Sequence, residues 1–284
     1  MELPYLEHFH LKEEPFSTSP NPRFLFTSPV HHAAIQKIRY VVAARKGLAV
    51  CFGKTGMGKT TLARLLHQTF LDDGFHAVFL TNPSFPTPNQ LLRAIIQEFR
   101  VPKTARSFLD LLNLFKAFLY EYAIERRNTL VLLIDEAQTL RFPLLELLRQ
   151  IVNYESSDEK FLQVVLFAQE EFRTTLHRAR NLENRIVMSS TLENLSLADT
   201  QQMLRFRWQV AGGGGFPFTG QAVQAIYEAT KGVPRSEIIL ADNALLAAAL
   251  HKAPAIGPEI VWQVVRDRGL DDMVTAKNAR KEAV

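Results

Sequence analysis

Residues 53–60 constrain this chain more than any others: Gly53-Lys54-Thr55-Gly56-Met57-Gly58-Lys59-Thr60, a G-x-x-x-x-G-K-[ST] run. The apolar stretch Leu48-Ala49-Val50-Cys51-Phe52 precedes it, and a helical pattern over residues 60–70 follows. That strand–loop–helix setting is the one in which the motif acts as a phosphate cradle. Glycine permits the tight turn, loop N–H groups face phosphate oxygens, and the helix N-terminus adds partial positive charge. In such a loop Lys59 reaches the β- and γ-phosphates and the Thr60 hydroxyl holds Mg²⁺. The nucleotide-binding candidates are Gly53, Lys54, Thr55, Gly56, Met57, Gly58, Lys59, Thr60 and the adjoining Thr61. ATP and Mg²⁺ are the implied cofactors.

Four more apolar runs have strand character: residues 77–80, 130–134, 164–168 and 186–188. Helical patterns separate them at residues 89–99, 107–126 and 144–154. Near-continuous apolar strands alternating with helices predict an α/β fold, a parallel sheet flanked by helices. After Leu195 the strand signal stops, and residues 198–211, 219–230, 235–252 and 258–268 read as four helices. Turn-forming runs punctuate them, notably Gly212-Gly213-Gly214-Gly215 and Gly232-Val233-Pro234. The expected partition is an N-terminal segment 1–30 packed on the core, an α/β nucleotide core 31–195, a helical lid 196–270 and a mobile tail 271–284.

The second chemical motif is Leu130-Val131-Leu132-Leu133-Ile134-Asp135-Glu136, a buried-strand pattern ending in two carboxylates. On a strand near the phosphate loop, Asp135 meets the Mg²⁺ shell. Glu136 then orients and deprotonates the water that attacks the γ-phosphate. An acidic strand end is common by itself; the phosphate loop upstream makes it specific. The Asp-Glu order favours a hydrolytic ATPase over a kinase or a GTPase switch. No Asn-Lys-x-Asp segment for guanine is present.

Composition sets the remaining bounds. The chain has 284 residues, 47% hydrophobic and 22% charged, which suits a globular protein with a sizeable core. No uncharged apolar run is long enough to span a bilayer, and the N-terminus lacks a signal-peptide pattern. One cysteine, Cys51, excludes an internal disulfide and reads as a core residue of the first strand. These features imply a cytoplasmic protein without a membrane partner. A net charge of +4 permits nucleic acid without requiring it.

With these motifs in place, the chain resembles the AAA+ ATPases, and within them the ExeA/TniB/TnsC-type group. The resemblance is carried by Tyr5-Leu6-Glu7-His8-Phe9, by Pro15-Phe16-Ser17, by Asn21-Pro22-Arg23-Phe24-Leu25-Phe26 and Ser28, by residues 163–172 and by Ala229-Thr230-Lys231-Gly232-Val233-Pro234-Arg235. One departure is Ala168-Gln169-Glu170-Glu171, where the group more often has Gly-Gln-Pro-Glu. The resemblance implies that Gln169 is the sensor on the fourth core strand. It implies that Arg235 reaches the phosphates from the helical lid, a task that suits a guanidinium fork. Arg185 matches the position of an arginine finger acting on a neighbouring subunit, with Arg178 and Arg180 as rivals; the active form is then a ring or helical filament. Glu136, Lys59, Gln169, Arg185 and Arg235 are thus the candidate catalytic set, with Thr60 and Asp135 at the metal.

Two loads fit such a motor. One is duplex DNA, bound without sequence preference by an oligomer that serves as a transposition regulator and recruits a transposase or target selector. The other is a secretion-assembly system, as in ExeA-type proteins. Those continue into a membrane span and a cell-wall-binding part that this sequence does not show, so the expectation leans to DNA. Its phosphate contacts are placed on Arg100-Val101-Pro102-Lys103-Thr104-Ala105-Arg106-Ser107, at Lys103, Thr104 and Arg106. Arg173, Arg178, Arg180 and Arg185 form a second basic stripe, read as a subunit interface. Phe16, Phe24 and Phe26 are expected to pack the N-terminal segment onto the core or beside the adenine.

Overall fold

The computed structural model describes residues 3–102, 105–157 and 159–269. Five strands form one sheet: β1 (Leu48–Gly53), β2 (His76–Leu80), β3 (Leu130–Ile134), β4 (Leu162–Ala168) and β5 (Ile186–Leu192). Their order is β2-β3-β4-β1-β5, and every neighbouring pair is parallel. Burial follows composition. The all-apolar β1, β3 and β4 are buried along their whole length, as strands covered on both faces must be. β5 lies at an edge and exposes Val187 and Ser189. Cys51 is fully buried within β1, and burial pushes its thiol up to about 12, so it is a core residue.

The chain divides into two compact units. The α/β unit comprises Pro29–Thr55 and Lys59–Glu193. Two of its helices start where polar side chains accept backbone N–H groups: Thr87 caps Pro88–Glu98, and Ser107 caps Phe108–Tyr120. The pattern over 107–126 predicts one helix; the α-helix stops at Tyr120, and a π turn runs over Glu121–Glu125. Such turns have no distinct sequence period.

The helical unit comprises Asn194 onward together with the N-terminal segment and Gly56–Gly58. It contains the helices Leu197–Val210, Gly220–Thr230, Pro234–Leu250 and Pro258–Asp267. Gly232 holds φ +77°, and a Cβ there would meet the Leu195 carbonyl oxygen at 2.1 Å. Only glycine allows that approach, which the Leu195 N–H secures by donating to the Gly232 oxygen at 2.8 Å.

The N-terminal segment belongs to this helical unit, which corrects the expectation that it packs on the α/β core. Tyr5, Leu11, Phe16 and Phe24 join the buried cluster of the helical unit, with Phe26 packed against it. The Tyr5 hydroxyl donates to Asp242 Oδ1 at 2.9 Å. Arg207 completes the attachment. Its Nε donates to the Pro15 carbonyl at 2.8 Å, and its other nitrogens donate to Phe24 at 3.0 Å and Ser17 at 2.7 Å. Phe16, Phe24 and Phe26 therefore act as core side chains of the helical unit. The fourth segment expected from sequence, 271–284, lies outside the described residues.

Two buried charges in this unit generate predictions. Arg207 satisfies three carbonyls, so Arg207→Ala should lower unfolding free energy by about 3–5 kcal/mol in denaturant melts, the cost of orphaning buried polar groups. Glu237 is fully buried, and desolvation pushes its carboxyl from 4.5 up to about 7, against the hydrogen bond that the Thr200 hydroxyl donates to its Oε1. Below pH 4.5 the acid is neutral in folded and unfolded chains alike, so it costs nothing. As pH rises to about 7 the unfolded chain ionises first, and stability falls by roughly 3 kcal/mol. Glu237→Gln should therefore raise the melting temperature at pH 8 and leave it near wild type at pH 4.

Candidate functional site

β1 ends at Gly53, and the chain turns through residues 54–58 into the helix Lys59–Asp72. Gly56 and Gly58 adopt φ of +85° and +88°, where an L side chain is strained. A Cβ on Gly56 would also press on the Arg235 Cβ at 3.0 Å. Gly56–Gly58 group with the same compact unit as Arg235, whose N–H donates to the Gly56 oxygen at 3.2 Å. Met57 is buried; Lys54 and Thr55 are exposed.

Lys59 is 6% exposed, and its Nζ donates to the carbonyls of Gly53 at 2.7 Å and Lys54 at 3.0 Å. Burial lowers the pKa of the ammonium, while Glu136 and Asp135 oppose that shift. Asp135 is 2% exposed. Its Oδ2 accepts from the Thr60 hydroxyl at 2.6 Å and its Oδ1 from the Glu136 N–H at 2.9 Å. Burial raises its pKa, against the pull of the Thr60 bond. Both groups are thus pushed toward neutrality, because desolvation outweighs their neighbours. A polyphosphate against the ammonium and a cation beside the carboxylate supply the charges that reverse both shifts. The donor set therefore fits a magnesium–nucleoside triphosphate, to which Thr60 and Asp135 would offer their oxygens.

Beyond Asp135 the backbone turns sharply: Glu136 holds φ +51°, the left-handed region, which an L residue adopts at a cost of about 1 kcal/mol. The Glu136 carboxylate accepts a bond from the Gln138 side-chain amide. The Gln138 Oε1 accepts the Gln169 N–H at 3.1 Å, and the Gln169 Oε1 accepts the Thr55 hydroxyl at 3.2 Å. Sequence reasoning misses Gln138; its one signal is its place two residues after Glu136 in the strand-ending turn.

The structure therefore brings Lys59, Thr60, Asp135, Glu136, Gln169 and Thr55 into one network. Thr61 follows on the first helical turn, half-buried. Arg185 stands apart, exposed at the entrance to β5, with its N–H donating to Leu182 at 2.9 Å. Of the expected basic stripe, Arg173, Arg178, Arg180 and Arg185 are all exposed, and the Arg173 guanidinium lies 3.8 Å from the centre of the Phe52 ring and donates to the Thr191 hydroxyl at 2.8 Å. Arg106 is exposed, and its carbonyl accepts from Arg93 at 3.0 Å. Lys103 and Thr104 lie outside the described residues.

Residues 42–176 match the AAA domain family. The chain is 37% identical over 247 residues to General secretion pathway protein A of Aeromonas hydrophila, covering 86% of this chain and 45% of that protein. It therefore spans a little under half the length of that curated relative. Among solved structures it is similar to the Aeropyrum pernix ORC2 protein in its ADPNP–ADP complexes, with TM-score 0.67 and 17% identity over 90% of this chain and 71% of that one. It is also similar to the Drosophila ORC bound to DNA, with TM-score 0.70 and 17% identity over 96% of this chain and 68% of that one. At such identity these two share the fold. With the phosphate loop, the acidic strand end and the five-stranded parallel sheet, these matches identify residues 42–176 as an AAA domain and the fold as that of an AAA+ P-loop ATPase.

Proposed function

We propose that this AAA+ ATPase powers the assembly of a general secretion apparatus. The observation that carries this reading is the 37% identity to General secretion pathway protein A, which extends over 86% of the chain and so beyond the AAA domain itself. The competing reading, a transposition regulator assembled on duplex DNA, draws on the net charge of +4, with phosphate contacts at the exposed Arg106 and at Lys103 and Thr104, the last two outside the described residues. Similarity therefore favours the secretion alternative over the DNA platform. Among the described residues no helix is long and apolar enough to cross a membrane.

In the proposed chemistry, Lys59 binds the β- and γ-phosphates, and the loop N–H groups hold the phosphate oxygens. Mg²⁺, when bound, neutralises charge on those oxygens. Thr60 and Asp135 would hold the ion. Glu136 orients the attacking water and takes its proton. Gln169, at the end of β4, senses the γ-phosphate side of the site. Arg235 is assigned to the phosphates by its guanidinium fork, and Arg185 acts on the nucleotide of a neighbouring copy, so the active form is an oligomer.

Glu136→Gln should lower kcat by roughly 10²–10⁴-fold while ATP still binds, since it removes the base and leaves the phosphate loop intact. Unchanged turnover would take Glu136 out of the chemistry. Lys59→Ala should abolish ATP-dependent oligomer formation, measured by light scattering. Expressed beside the wild-type protein in cells, the Glu136→Gln chain should block export of secreted enzymes into the medium. Normal export, together with nucleotide-dependent coating of duplex DNA in electron micrographs, would restore the DNA-platform reading.

A further inference from the structure

Gln138 places one amide between the two groups on which hydrolysis depends. Its nitrogen donates to Glu136, and its oxygen accepts the N–H of Gln169. The second bond fixes which way the amide faces. A flipped amide would set its oxygen against the carboxylate and its nitrogen against a backbone N–H, and both contacts would repel. The chain of bonds continues, because the Gln169 side chain accepts from Thr55 in the phosphate loop.

We propose that Gln138 is a positioning residue for ATP hydrolysis: it holds one carboxylate oxygen of Glu136 and leaves the other to receive the proton of the attacking water. This rests on the reading of Glu136 as the general base. Glu136 sits on a left-handed turn with several rotatable side-chain bonds, and without a fixed donor its carboxylate samples orientations that face no water. Gln138 removes that freedom. Through Gln169 it also links the carboxylate to the end of β4 and to Thr55, so a shift of the loop around bound phosphate reaches Glu136 through three hydrogen bonds. A purely structural role would be to close the short helical turn Ala137–Thr139. That turn is already closed by the Thr139 N–H, which donates to the Glu136 oxygen at 3.0 Å.

The test is steady-state ATP hydrolysis and fluorescent-nucleotide binding by the full chain carrying Gln138→Met, Gln138→Glu, Glu136→Gln, or Gln138→Met with Glu136→Gln. Gln138→Met keeps the length of the side chain and removes both bonds. It should lower kcat about 10-fold or more through lost orientation, with KM and nucleotide affinity within about twofold of wild type. Gln138→Glu keeps the length of the side chain, but a carboxylate cannot donate to Glu136, so it should lower kcat at least as far with KM unchanged, whereas a packing defect moves both. On the Glu136→Gln background, Gln138→Met should cause no further loss, because it acts through that carboxylate. Wild-type or raised kcat in Gln138→Met, a loss confined to KM, or an equal further loss on the Glu136→Gln background would each overturn the inference. If Glu136→Gln is inactive while Gln138→Met is normal, only this inference falls. Full turnover by Glu136→Gln would remove the assignment of the base as well.

Discussion

Backbone pairing of β4 with β1 on one side and β3 on the other sets where every chemical group of the α/β unit can stand. In that register Phe52 of β1 lies opposite Ala168, and Ile134 of β3 lies opposite Leu166. β4 therefore runs two residues further than β3 in the direction of the phosphate loop. Gln169, the next residue, emerges between the phosphate loop and the acidic turn. A slip of one residue would turn the whole strand's side chains to the other face and carry Gln169 away from Thr55 and Gln138. The all-apolar composition of β1, β3 and β4 makes such a central, doubly covered position the favourable one.

Burial acts on the charged groups in two distinct ways. In the helical unit, Arg207 is buried with its hydrogen-bonding capacity spent on three carbonyls of the N-terminal segment. There the charge works as an internal fastener. At the phosphate loop, among the described residues, the Lys59 ammonium donates to the carbonyls of Gly53 and Lys54, and the Asp135 carboxylate accepts from a hydroxyl and an N–H. Those partners do not offset desolvation, so both groups are displaced toward their neutral forms. The imbalance is characteristic of a site whose ligand brings charge of its own.

Much of the fold and of the site is legible in the amino-acid sequence, because the signals are local. The phosphate loop, the five apolar runs and the four late helices are patterns within short windows, and each appears as the element its period predicts. The attachment of the N-terminal segment is not legible in this way. Tyr5, Phe16 and Phe24 announce burial, but nothing in their spacing says which unit receives them, and their hydrogen-bonding anchors stand at Arg207 and Asp242. Gln138 escapes for the same reason. A glutamine in a turn is an ordinary surface residue until the neighbouring strand's N–H is seen to orient its amide.

The amino-acid sequence by itself determined the class of chemistry: a glycine-rich loop before a helix, and two carboxylates at a strand end, suit few ligands other than a magnesium–nucleotide. It also determined where the five strands and the four late helices lie, since those depend on residues close in the chain. Only the tertiary structure decided the strand order, the unit to which residues 3–28 belong, and the hydrogen-bonded path Thr55–Gln169–Gln138–Glu136. The physical reason is that a hydrogen bond is specified by distance and direction between two groups. Pairing among parallel strands brings such groups together across long separations that no local pattern records.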